Sequence, residues 1–110
     1  MTNFIKIPTL IGNLCNELNS ETSDPIGLLA RTHAVFEKIH PFSDGNGRIG
    51  RLLMVAKALQ LGVWPPVIAK ERKSVYYRYL GLAQTQDKYD NLEQFVAESI
   101  VAAAETCRIA

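Results

Sequence analysis

Little in this chain supports a disulfide scaffold. Of its 110 residues only Cys15 and Cys107 are cysteines, and they fall on separate predicted helices near opposite ends, so they read as reduced core or surface residues. An excess of charge is also lacking. Twelve basic side chains stand against eleven acidic ones, a net +1, and without a clustered basic face there is no electrostatic case for general nucleic-acid binding. No apolar run approaches the roughly 18 residues of a membrane helix, and no signal-peptide pattern appears, so a soluble domain in the cytoplasm is expected. No repeat, linker or low-complexity stretch divides the sequence. With 47% hydrophobic and 21% charged residues, residues 1–110 are expected to form one domain around one core.

What is present is helical periodicity. Ile26, Leu29, Ala30, His33, Phe36 and Ile39 recur at three- and four-residue steps, with Asp24 as N-cap, Pro25 as the start, and Pro41 ending the run near His40. Ile49, Leu52, Leu53, Ala56 and Leu59 repeat the pattern until Gly62 offers a C-terminal cap. Pro8 to Ser20 carries Leu10, Ile11, Leu14, Cys15 and Leu18 on one face, and Tyr76, Tyr79, Leu80 and Ala83 have core spacing. Asp90-x-x-Glu93 opens a last helix whose Leu92, Phe95, Val96, Ser99, Ile100 and Ala103 face inward. Trp64, ahead of Pro65-Pro66, is expected to bury against these helices. The expected fold class is all-α, a helical bundle with a loop between two central helices.

That loop concentrates the chemistry. His40-Pro41-Phe42-Ser43-Asp44-Gly45-Asn46-Gly47-Arg48-Ile49-Gly50-Arg51 joins one helix end to the start of the next, where N–H groups lack intrahelical partners and the dipole is positive. Arg48 and Arg51 fall in or near that first turn, where a cation opposes the dipole and a structural helix start would favour Asp or Glu. The misplaced charge suggests an anionic ligand, and Arg grips phosphate oxygens bidentately. Gly45 and Gly47 let backbone approach a ligand, although Asp-Gly and Asn-Gly also serve as bare turns. Asn46 suits helix capping as well as phosphate contact. Asp44 is a hard oxygen ligand of the kind Mg²⁺ takes with substrate phosphates, and the His40 imidazole can accept a proton. His33 lies seven residues before His40 on the same face. With no third ligand nearby, it reads as a core or solvated histidine and not as half of a metal pair.

These residues, His40-Pro41-Phe42-x-Asp44-Gly45-Asn46-Gly47-Arg48-x-x-Arg51, resemble the complete signature of Fic-domain proteins, most of which transfer AMP from ATP to a Ser, Thr or Tyr hydroxyl of a target protein. The likeness extends from about Pro8 to Ile100, through Leu52-Leu53-Met54, Pro65-Pro66-Val67-Ile68 and Tyr76-Tyr77. It implies a Fic-like bundle with Mg²⁺ as cofactor and ATP as co-substrate. By the resemblance His40 is the general base, Asp44 holds Mg²⁺, Asn46 binds the α-phosphate, and Gly45 and Gly47 shape an anion hole. Arg48 contacts the β- or γ-phosphate, Arg51 fixes the γ-phosphate end, and Phe42 points into the core to anchor the loop. Tyr77 contacts the adenine side together with Gln84, which stands where relatives carry Asn. Relatives that phosphorylate carry Lys at the place of Gly47, so this chain resembles the AMP-transferring branch.

Two alternatives stay open at this stage: a nucleotide-binding regulatory module that transfers nothing, and transfer of another phosphate-containing group, UMP or phosphocholine. The resemblance covers the catalytic part of the family's domain, without the upstream helices and flap, of which Asn3 to Ile7 are expected to form at most the last strand. Relatives are restrained by a helix with a Ser/Thr-x-x-x-Glu pattern whose Glu pairs with the arginine here numbered Arg51. No Ser or Thr in this sequence has Glu four places later, so an antitoxin-like partner acting in trans or a homo-oligomer contact is the expected source of control.

Overall fold

A computed structural model describes residues 4–42 and 44–106. Five α-helices follow one another: α1 (Ile7–Leu18), α2 (Pro25–Ile39), α3 (Asn46–Gln60), α4 (Lys73–Gln86) and α5 (Asp90–Thr106). The all-α expectation holds, with no strand among the described residues. One turn of 3₁₀ helix, Phe4–Lys6, runs straight into α1, and a second, Lys70–Arg72, leads into α4. The strand expected over Asn3 to Ile7 is therefore replaced by helix from Phe4 onward, while Asn3 lies outside the described residues. Pro8, in the first turn of α1, has the φ a helix needs and lacks only an N–H that would be unpaired there anyway. Cys107 also lies outside the described residues, and Cys15 is exposed.

The start of α2 follows its sequence signals. The Asp24 carboxylate accepts a hydrogen bond from the Gly27 N–H at 3.0 Å, and Pro25 occupies the first turn. α2 carries apolar residues on several sides because α1, α3, α4 and α5 all pack against it. Leu29, Ala30 and Ala34 meet Met54 and Ala58 of α3, Tyr76, Leu80 and Ala83 of α4, and Leu92, Phe95 and Val96 of α5 in one buried cluster. A smaller cluster joins Leu14 of α1 to Phe36 and Ile39 near the far end of α2. This second cluster fixes the end of the helix that carries His40.

α3 ends as its sequence suggests. Gly62 takes φ +79°, its N–H donates to Leu59 O at 3.1 Å, and the Val63 N–H donates to Ala58 O at 3.0 Å. The stretch from 63 to 69 then crosses the surface, with Val63 and Ile68 packed on the core and Pro66 buried. Trp64 alternates to the outer side and is 49% exposed, which overturns the burial expected for it. It lies against Leu59, Val63 and Pro65 in a shallow groove. No helix among the described residues is long and apolar enough to cross a membrane.

Candidate active site

His40 closes α2 in the left-handed conformation, φ +55° and ψ +58°, with its N–H donating to Phe36 O at 3.1 Å. A non-glycine residue there stores strain, and a helix end of this kind more often carries glycine. The fold keeps a histidine at this place and leaves its side chain exposed.

The loop that follows is closed by one amide. The Phe42 N–H donates to Asn46 Oδ1 at 2.9 Å, and Asn46 Nδ2–H donates back to Phe42 O at 2.7 Å. Asn46, 3% exposed, thus ties its own helix start to the start of the loop. This bond does the anchoring expected of the Phe42 ring. The ring itself is 48% exposed, which corrects the inward placement expected for it: the two bonds hold the Phe42 backbone and make no demand on its side chain.

Gly45 then enters α3 at φ +74°, and no side chain caps the helix. Ile49 N–H makes the first intrahelical bond, to Gly45 O at 3.0 Å. The N–H groups of Asn46, Gly47 and Arg48 precede that bond and stand at the positive end of a fifteen-residue helix. An uncapped helix start of this kind seats an anion. Arg48 and Asp44 are exposed beside it. A Cβ on Gly47 would lie 3.1 Å from Arg51 Nη1, so the Arg51 guanidinium folds back along the first turn of α3. The Arg51 guanidinium therefore stays at the loop.

Behind the loop lies a buried polar cluster that the sequence did not reveal. His33 faces Gly50 O through Nδ1 at 3.3 Å and the Tyr76 hydroxyl through Nε2 at 2.5 Å. A carbonyl only accepts, so Nδ1 carries the hydrogen and Nε2 accepts from the Tyr76 O–H. Burial pulls the His33 pKa down to about 4, a hydrogen bond with the Gly50 carbonyl opposing and the Arg51 charge adding to the fall. His33 is thus neutral and part of the core, not a metal ligand. The Tyr76 phenol is pushed up by burial and by the Glu37 carboxyl, while the Arg51 guanidinium opposes this by charge and by a hydrogen bond.

Glu37 is the other residue missed. Its Oε1 is buried without a hydrogen-bond partner and fits the notch left by the missing Cβ of Gly50. Burial raises its pKa, and the charges of Arg51 and His40 hold that rise back. The signal was present in the sequence: His33, Glu37 and His40 stand at i, i+4 and i+7 on one helix face.

The cluster makes a pH prediction. Between about pH 4 and pH 6.5 the unfolded chain binds a proton at His33 that the folded chain refuses, so the stability this residue contributes above pH 6.5 is lost as pH falls through that window. The loss should be roughly 3 kcal/mol. Urea unfolding of the wild type and of His33→Asn at pH 7 and pH 4.5 measures it. The wild type should lose more stability between the two values, since the opposite contribution of Glu37 is common to both proteins.

The remaining residues expected at the site are placed less directly. Tyr77 is 55% exposed and tilts against the Tyr76 ring at 5.0 Å. Gln84 donates from Nε2 to Ala34 O at 3.2 Å, binding α4 to α2 six residues ahead of His40. For a metal, no group of three or more His, Cys, Asp or Glu suited to one occurs among the described residues. A cation here would be held by Asp44 and the ligand's own oxygens, the donor set Mg²⁺ accepts with phosphates.

Comparison with known proteins shows the family. A family model described as Fic/DOC family matches residues 2–57, which include every residue of the loop. The chain belongs to the Fic/DOC family. Curated relatives include the protein adenylyltransferase Fic of Drosophila melanogaster and of Drosophila sechellia, each 42% identical over 72 residues. The protein of the same name from Drosophila grimshawi is 44% identical over 73 residues. These matches cover 66%, 66% and 64% of this chain and 15% of each relative. The chain thus spans about 15% of the length of the curated relatives it matches.

Proposed function

We propose that this domain transfers AMP from ATP to a Ser, Thr or Tyr hydroxyl of a target protein. The observation that carries the reading is the exposed His40 imidazole, held in a strained helix end beside an uncapped helix start that two arginines flank. The names of the curated relatives, protein adenylyltransferases, support the same reading.

In this reaction the His40 imidazole takes the proton of the target hydroxyl. The hydroxyl oxygen forms a bond to the α-phosphorus as the bond from that phosphorus to the bridging oxygen breaks, and pyrophosphate leaves. Catalysis of phosphoryl transfer is mostly positioning and charge stabilisation, which matches what the loop offers. The N–H groups of Asn46, Gly47 and Arg48 face the α- and β-phosphates, with Gly45 and Gly47 leaving room for them. Asn46 keeps the loop in register through its bonds to Phe42. Arg48 and Arg51 hold the β- and γ-phosphates, and Asp44 would hold Mg²⁺. That ion, when bound, spreads the negative charge of the α- and β-phosphates. Tyr77 and Gln84 line the adenine side. Gly47 favours AMP over phosphate transfer, since the phosphorylating relatives carry Lys there.

Mass spectrometry of lysate proteins incubated with the domain, Mg²⁺ and each of ATP, UTP and CDP-choline in turn tests the proposal. A mass increase of one AMP on a hydroxyl residue, with ATP alone, is the expected result. A gain of UMP or phosphocholine would replace it with another donor, and no gain with any donor would overturn it.

A further inference from the structure

Arg51 reaches the phosphate loop from a side chain that is backed by buried groups on two other helices, and those groups have one consistent set of hydrogens. Gly50 O can only accept, so His33 donates from Nδ1. His33 Nε2 then has only a lone pair, so the Tyr76 O–H points at it across 2.5 Å. With its hydrogen committed, the Tyr76 oxygen offers lone pairs alone, and the Arg51 guanidinium lies close enough to act on it by charge and by a hydrogen bond. Tyr76 is 1% exposed and His33 3% exposed, so neither can exchange these bonds for water. The start of α3 is tied to α2 through the Gly50 carbonyl, and the Arg51 side chain lies beside Gly47.

We propose that Tyr76, oriented by His33, is a positioning residue that holds the Arg51 guanidinium toward the terminal phosphate of the bound nucleotide. This deepens the AMP-transfer reading and rests on it. A guanidinium on a long stem loses rotamer freedom when it grips phosphate, and a hydrogen bond that fixes it beforehand lowers that loss on binding. Tyr76 itself touches no substrate. Its effect should therefore appear only with a ligand long enough to reach Arg51.

The test is calorimetric binding of Mg-ATP and Mg-ADP to the wild type, Tyr76→Phe, Arg51→Ala and the double variant, with thermal melting of each. Tyr76→Phe keeps the buried ring and should weaken ATP binding about tenfold, on the order of one hydrogen bond to a charged group, while leaving ADP affinity unchanged. In the Arg51→Ala background the same change should weaken ATP no further. An equal loss for ATP and ADP would mark general damage to the fold and overturn the proposal. A loss that adds to that of Arg51→Ala, or no loss in a wild type that binds ATP, would also overturn it. A wild type that binds neither nucleotide would overturn the AMP-transfer reading itself, a failure visible before any variant is compared.

Discussion

Replacing His40 with alanine is expected to lower AMP transfer by about 10² to 10⁴-fold, the usual contribution of a positioned base. ATP should still bind, because the phosphate contacts proposed above come from α3 and its entrance. The fold offers an internal control. His40 sits at φ +55°, where alanine keeps the strain of the native backbone and glycine relieves it. His40→Gly should therefore lose activity as fully as His40→Ala while melting at a higher temperature than His40→Ala. A rate assay with saturating ATP and a thermal melt of the three proteins decide the point. Transfer within twofold of wild type in either variant would remove the imidazole from the chemistry.

The largest effect on stability should come from Phe95→Ala. The ring is 1% exposed, lies 6.0 Å from the Tyr76 ring and 6.2 Å, edge on, from Tyr79, and carries the Arg72 guanidinium 4.6 Å from its centroid. Emptying such a position costs about 3 to 5 kcal/mol, a large part of the 5 to 15 kcal/mol that holds a typical domain. The consequence reaches the site. Phe95 walls the buried side of Tyr76, and Tyr76 fixes His33 and faces Arg51. Denaturant unfolding should show the loss directly, and the surviving folded fraction should bind ATP more weakly. A stability change below about 1 kcal/mol would show that α5 does not bear on this core.

How much of this was legible in the sequence depended on distance along the chain. Asp24-Pro25 opened α2 and Gly62 closed α3 as expected, because caps and turns are decided by residues within four positions of one another. The inward face of α5 was equally readable from its period, with Leu92, Phe95, Val96, Ser99 and Ala103 buried. The loop's composition suggested a phosphate site, and the Fic/DOC likeness gave each residue a role to be tested. What the sequence concealed lies between segments. His33 meets Tyr76 across 43 positions, and Glu37 fits beneath Gly50, a pairing visible only once α2 and α3 cross. Trp64 and Phe42 were misplaced for a related reason. Hydrophobicity argued for burial of Trp64 and the family likeness for an inward Phe42, but side-chain direction on an irregular stretch is set by backbone contacts, here the Val63–Ile68 packing and the Asn46 amide.

One measurement bears on the central claim more directly than any variant. The domain is incubated with Mg²⁺ and its acceptor proteins in two parallel reactions, one with ATP labelled at the α-phosphate and one with ATP labelled at the γ-phosphate. Label should reach protein from the α-position alone, with unlabelled pyrophosphate released in that reaction. Label arriving from the γ-position, or from neither while ATP remains bound, would contradict it.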